Sequence, residues 1–430
     1  MSLRLGLDFG TSGARACVID AGNAIVHEQR IGYPDPGNQT PQDWRSALLA
    51  LLGGLPQDVA ANLRGIAIDG TSGTVLLCDD ELAPLSGVLM YNDARAHVQA
   101  AQLKSIAPHG QFGATSGLAK FLWLTQHIAD AHYFLHQADW LTALLSGRPG
   151  IADYHNALKT GYDARTLRWP DWVSALPHSH LLPDVVAPGT DLGQIRHNIA
   201  ARFGISPHCR IHAGTTDSTA AFIASGVTEP GIGVTSLGTT LVLKQLSDKR
   251  IEAPEYGVYS HRYGELWLVG GASNTGAGIL QNFFDDRQIA ELSERIDAMQ
   301  DSPLDYYPLS KPGERFPTND PQLAPRLEPR PANDAAFLHG LLQSLARIEA
   351  DGYARLEALG ATPLHAVVTN GGGARNETWR RLRERLLGVP VGTAAHAEAA
   401  YGCALLCAGA SSLSRSMSSN RSSGTGLPNR

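Results

Sequence analysis

Leu3, Leu5 and Leu7 alternate with Arg4, Gly6 and Asp8, the two-residue period of a strand. The alternation breaks at Gly10-Thr11-Ser12-Gly13, and apolar residues resume through Ala14–Ile19, which predicts a hairpin closed by a glycine-rich turn. The motif has a near echo. Gly65–Asp69 reads as a short buried strand, runs into Gly70-Thr71-Ser72-Gly73, and continues as a strand from Thr74 to Asp79. Three further strands end on similar turns: Arg210–His212 on Gly214-Thr215-Thr216-Asp217-Ser218, Gly231–Thr235 on Ser236-Leu237-Gly238-Thr239, and Ala366–Asn370 on Gly371-Gly372-Gly373. Segments of helical spacing lie between them: Gln42–Leu52 behind Thr40-Pro41, Ala119–His136, Ala138–Leu145, a helix starting at Asp217, Ala335–Leu359 and Glu398–Ala408. Strands and helices in alternation predict an α/β protein.

Two halves open alike, so a boundary is expected near Ser225-Gly226: domains 1–225 and 226–397, with the helix at 398–410 packing back on the first. Residues 303–331 are proline-rich without periodicity and read as an ordered surface excursion of the second half. Residues 411–430 carry Ser, Asn, Arg and Gly with little apolar content, which predicts a disordered tail. The length of 430 residues suits two or three domains. A net charge of −6 gives no basic surface for nucleic acid or an anionic membrane. No apolar run reaches membrane-spanning length. Five scattered cysteines form no CxxC pair or zinc spacing, which with a strand starting at residue 3 predicts a reduced, cytoplasmic protein.

The turns carry the candidate chemistry. Glycines allow successive N–H groups to point at an anion, and Thr11 and Ser12 add hydroxyls. Asp8 is placed to hold magnesium directly or through water, since that ion takes few carboxylates and keeps its waters. No Gly-Lys-Ser/Thr follows, so the turn is not a P-loop. Five strand ends of this kind suggest loops meeting on one phosphate-bearing ligand.

Four motifs in order, Asp8-x-Gly10-Thr11, Gly214-Thr215-Thr216-Asp217, Ser236-Leu237-Gly238-Thr239 and Gly371 to Asn376, resemble the FGGY carbohydrate kinases over roughly residues 3–408. The resemblance implies two RNase H-like domains of the actin/hexokinase/Hsp70 type flanking a central cleft, with ATP and Mg2+ as cofactors and a sugar as the small-molecule partner. It implies Asp217 as general base and Asp8 as a second acid on magnesium or the sugar hydroxyl. Ser12, Gly13, Ala14, Arg15, Ser72 and Ser218 fall on the substrate side, while Asp69 faces the sugar or only orders its turn. Gly10, Thr11, Gly238, Thr239, Gly271, Gly372, Gly373, Ala374, Arg375 and Asn376 fall on the ATP side. Asp93, Arg95 and Lys159 are polar residues near the sugar loops for which a solvated role is expected. Gln137-Ala-Asp-Trp-Leu and Ala152-Asp-Tyr-His-Asn156 also look family-like.

Asp69-Gly70-Thr71-Ser72 is similar to the segment of ribulose-type kinases, and the short chain resembles a cyanobacterial and plant pentulose-kinase group. The expected activity is therefore transfer of a phosphoryl group from ATP to an alcohol, with D-ribulose the first substrate and D-xylulose the second, by a monomer or homodimer. The rival expectations are a nucleotide-driven conformational protein of the actin-like superfamily and a sugar sensor.

Overall fold

The computed structural model describes residues 2–107 and 112–409. The tail expected over 411–430 lies outside them. The chain divides into two compact units, one of residues up to Ala224 together with those from Glu398, the other Ser225–Ala397.

Among the described residues the first unit holds ten strands: β1 Leu3–Phe9, β2 Gly13–Ile19, β3 Ile25–Gly32, β4 Leu63–Gly70, β5 Val75–Cys78, β6 Tyr133–His136, β7 Ile151–Asp153, β8 Asp184–Val186, β9 Asp191–Gln194 and β10 Arg210–Thr216. Six of them form a sheet in the order β3-β2-β1-β4-β10-β9. β1, β2 and β3 are antiparallel, while β4 and β10 run parallel to β1. The parallel strands are buried along nearly their whole length, as expected where helices cover both faces of a sheet. The Pro41–Gly53 helix and the Gln137–Ser146 helix supply Trp44, Leu48, Leu51, Trp140 and Leu141 to a core around Leu5, Leu7 and Ile66.

The Ala399–Leu406 helix packs against β1, β2, β4 and the Asp217–Ala224 helix. The approach is very close. A Cβ on Gly6 would stand 1.9 Å from the Ala400 carbonyl oxygen, and one on Gly402 would stand 1.9 Å from that of Ala220. Only glycine allows backbone to meet backbone at these two points.

The second unit repeats the plan with β11 Ile232–Leu237, β12 Leu241–Ser247, β13 Tyr259–Tyr263, β14 Leu266–Ala272, β15 Ala366–Asn370 and β16 Val391–Thr393. Its sheet runs β13-β14-β12-β11-β15-β16, again an antiparallel set joined to parallel strands through the first strand of the unit. The Asp334–Ala358 helix crosses it with Phe337, Leu341, Leu345 and Ile348 buried. A buried ion pair lies beneath the same strands: Arg383 donates to Glu349 at 2.5 and 2.7 Å and to Thr369 Oγ1 at 2.7 Å, and Thr235 Oγ1 donates to Glu349 at 2.5 Å.

Two expectations need correction. Residues 119–136 are not one helix: the helix is Gly117–His127, and β6 follows, pairing with β5 in full register from Val75↔His136 to Cys78↔Tyr133. A short apolar run fits either period, and here the pairing with β5 decides. The 303–331 segment is ordered and mostly exposed, but it is not wholly superficial. Tyr306 and Phe316 are buried in the core of the second unit, and Glu314 accepts hydrogen bonds from Ser273, Asn274 and Tyr307.

Candidate active site

In the first unit, register brings the acids together. Asp8 on β1 lies opposite Asp69 on β4, and Asp69 lies opposite Thr215 on β10. Parallel strands share a carboxyl end, so all three side chains stand at one edge of the sheet. β10 shifts register between His212 and Thr215, where Gly214 passes so close to Ile68 that a Cβ would stand 1.7 Å from its carbonyl oxygen. Asp217 then starts the Asp217–Ala224 helix, whose N-terminal dipole favours an ionised carboxylate.

Asp8 is held across the hairpin by its pairing partner: Arg15 Nη1 donates to Asp8 Oδ2 at 2.9 Å. Asp69 is fully buried, and neither of its oxygens has a hydrogen bond of good geometry, although the Asp8 carboxyl and the Cys403 thiol lie close enough to bear on it. Burial pushes its carboxyl well above the usual range, and the negative fields of Asp8 and Asp217 push the same way. The edge therefore carries a buried acid that holds its proton more tightly than usual, beside two others.

The turn between β1 and β2 is closed by Gly10 N donating to Gly13 O at 3.1 Å, with Thr11 and Ser12 exposed at its tip. Gln39 Nε2 donates to Thr11 O at 2.6 Å, and Tyr33 N donates to Ser12 O at 3.2 Å. Ala14 is fully buried in the core of the first unit. Gly13 is required by β3, since a Cβ would stand 2.2 Å from Ile31 O.

The Thr71–Gly73 turn is knit from behind. Gln137 Oε1 accepts from both Thr71 N and Thr71 Oγ1 at 2.8 Å, and Thr71 Oγ1 shares a hydrogen bond of 2.6 Å with Thr74. Several polar atoms around this edge are buried without a partner: Ser72 Oγ, Gln137 Nε2, Asn156 Oδ1 and Tyr33 OH. His155, next to Asn156, shares a 2.7 Å hydrogen bond with Thr215. Orphaned buried polar groups are rare, and a cluster of them at one edge marks where a polar ligand would be met. Tyr33 and the work of Gln137 were missed from sequence. The only signal was the family-like look of the Gln137 segment. Asp93 and Arg95 pair with each other at 2.8 Å, with Arg95 exposed, and Ser218 N donates to Asp217 Oδ1 at 2.6 Å.

In the second unit, β11 ends on Leu237, and Gly238 and Thr239 form the turn into β12. β15 ends on Asn370, and Gly371 takes φ +90° where a Cβ would stand 2.7 Å from Leu237 O. Gly372–Arg375 is a single 3-10 turn, and space around Gly372 is open. The two glycine turns therefore flank one another at the ends of the paired strands β11 and β15. Asn376 uses its side chain elsewhere: Oδ1 caps the Glu377–Leu387 helix by accepting from Trp379 N at 2.9 Å, and Nδ2 donates to Ser293 at 2.8 Å. Gly271 is explained by packing, since a Cβ would stand 2.6 Å from the Phe316 ring. Among the described residues no three His, Cys, Asp or Glu side chains gather as a metal cluster.

Residues 3–224 match the FGGY family of carbohydrate kinases, N-terminal domain, and residues 233–411 match its C-terminal domain. The chain belongs to the FGGY family of carbohydrate kinases. It is thus a sugar kinase, a phosphotransferase with an alcohol acceptor, and family membership implies ATP as co-substrate. A xylulose kinase of Staphylococcus epidermidis is 22% identical over 94% of this chain and 87% of its own. One from Streptomyces coelicolor is 26% identical over 90% and 84%. Among solved structures, a xylulose kinase from Rhodospirillum rubrum superposes with a TM-score of 0.81 at 21% identity, covering 96% of this chain and 92% of that one. A Plasmodium falciparum glycerol kinase with ADP gives 0.81 at 17% identity, covering 94% and 89%. At such identities the structural likeness shows the fold, which hosts more than one acceptor and so does not by itself name the sugar.

Proposed function

We propose that the protein is an ATP-dependent pentulose kinase that converts D-ribulose to D-ribulose 5-phosphate. The observation that carries the proposal is the edge of the first sheet, where Asp8, Asp69 and Asp217 stand with the unpartnered Ser72 hydroxyl and the Gln137 and Asn156 amides. A polyol offers hydroxyls that both donate and accept, and it would satisfy such a set. Asp217 takes the proton of the terminal hydroxyl as its oxygen bonds to the γ-phosphorus, and the bond to ADP breaks. Ser72, Ser218 and Asp8 hold the other hydroxyls. Arg15 keeps Asp8 oriented rather than reaching the sugar itself.

The Gly10–Gly13 turn, with Thr11 and Ser12, receives the transferring phosphoryl group. In the second unit, Gly238 and Thr239 receive the phosphates of ATP, and Gly372, Gly373 and Ala374 border the adenosine on open backbone, with exposed Arg375 beside them. Asp8 also fits magnesium. One of its oxygens is bonded to Arg15, and a single carboxylate beside phosphate oxygens and waters is an ordinary set for that ion. When bound, magnesium would neutralise charge on the phosphates.

D-xylulose is the second reading, favoured by the likeness to xylulose kinases. D-ribulose is placed first because of Asp69-Gly70-Thr71-Ser72. A coupled assay of ADP release over pentuloses, hexuloses, pentitols and glycerol tests both. Strongest turnover with D-ribulose is expected, and Asp217→Asn is expected to fold and lose about 100-fold or more in kcat, the usual worth of a general base. Stimulation by no polyol, or an active Asp217→Asn, refutes the reading.

A further inference from the structure

Lys120 is fully buried on the Gly117–His127 helix, among Ala119, Phe121, Leu122 and Leu124. Packing at such a position asks only for a hydrophobe, and an ammonium out of water is costly. The charge must therefore meet a local need. Its Nζ donates to three backbone carbonyls, Gly73 at 2.8 Å, Met90 at 2.6 Å and Tyr91 at 3.3 Å. Only an ammonium offers three donors from one atom. Gly73 closes the turn that carries Ser72, and it sits at φ +81°. Tyr91 N donates in return to Thr74 Oγ1 at 2.9 Å. Gln137 grips the start of the same turn through Thr71. Ser72, whose hydroxyl has no partner within the protein, is thus held between Gln137 on one side and Lys120 on the other.

We propose that Lys120 is a positioning residue for the sugar, its ammonium clipping the Thr71–Thr74 turn to residues 90–91 so that the Ser72 hydroxyl is presented to the substrate. This rests on the pentulose-kinase reading above. Titration supports it. Burial pulls the Lys120 ammonium down to about 8, opposed by the field of Asp93. Around it stand exposed Arg95, paired to Asp93, exposed Tyr91, His97, Lys104 and His127, half-buried Lys159 beside Gly117, and buried Cys78 on β5, and the charge that bears on it is that of Asp93. As pH rises through 8 the ammonium becomes an amine with two donors for three carbonyls, and the clip loosens.

The test is steady-state kinetics with D-ribulose and D-xylulose on the full chain, reading the two KM values separately from pH 7 to 9. In the wild type the sugar KM is expected to rise about tenfold across that range while the ATP KM stays within twofold. Lys120→Arg, which keeps its charge, is expected to flatten that rise. Lys120→Met is expected to raise the sugar KM at pH 7 by tenfold or more with the ATP KM unchanged. If Lys120→Met does not fold, the wild-type profile and Lys120→Arg decide. A wild type that turns over sugar with a flat sugar KM to pH 9, or a folded Lys120→Met with the wild-type sugar KM, overturns the role of Lys120 alone. A wild type that turns over no sugar overturns both readings.

Discussion

Replacing Arg383 by Met should unsettle the second unit more than any surface change. Both side chains of the Arg383–Glu349 pair are about 1% exposed, and three of the guanidinium nitrogens donate to Glu349 or Thr369. Removing the cation leaves the Glu349 carboxylate buried with only the Thr235 hydroxyl to serve it. Breaking a buried pair from one side costs about 3–5 kcal/mol. A unit of this size loses about 2–4 °C in Tm per kcal/mol, so its transition should fall by about 10 °C. Replacing both partners together, Arg383→Met with Glu349→Met, removes the stranded charge and should return most of that loss. The pair also bears on function. Thr235 lies on β11 and Thr369 on β15, and these strands end at Gly238-Thr239 and at Gly371–Gly373. The single variant should therefore raise the ATP KM and leave the sugar KM near its wild-type value. Calorimetry on the full chain with paired KM measurements reads both effects. A single variant that melts within about 2 °C of the wild type, or a double variant no better than the single, refutes the reasoning.

Two further outcomes follow from the first unit. Asp69 has a folded pKa raised by burial and by Asp8, so between its unfolded value near 3.9 and its raised folded value the native state binds the extra proton, and stability falls as pH rises. Asp69→Asn removes that linkage. It should melt higher than the wild type at pH 7 and equal to it near pH 4, and equal melting at both would show that Asp69 is ionised in the fold. Gly402→Ala drives a methyl to within 1.9 Å of the Ala220 carbonyl oxygen, a backbone atom that cannot yield cheaply. A loss of about 1–3 kcal/mol is expected by chemical denaturation, and an unchanged midpoint would mean that the Ala399–Leu406 helix is free to move off the sheet.

What could be read from the chain alone follows how local each cause is. The strand-to-glycine turns were legible at all five sites because a two-residue period and a run of Gly and Thr are written in consecutive positions. The alignment of Asp8 with Asp69 was not, since it depends on β4 choosing β1 as its neighbour in one register. Gln137 and Lys120 lie 66 and 47 residues from the turn they hold, and apart from the family-like look of the Gln137 segment nothing near them in sequence announces it. Reading 119–136 as one helix hid Gln137, because it placed β6 inside the helix and erased the strand end from which Gln137 starts the next. Gly271 has a second cause that was equally hidden. It sits in a glycine pair that resembles a ligand turn, yet its need for glycine comes from a phenyl ring 45 residues later in the chain, Phe316, in the proline-rich segment that looked superficial. A glycine shows that something passes close by. Whether it is a phosphate or a side chain is decided by what fills the space: open around Gly372, occupied at Gly271.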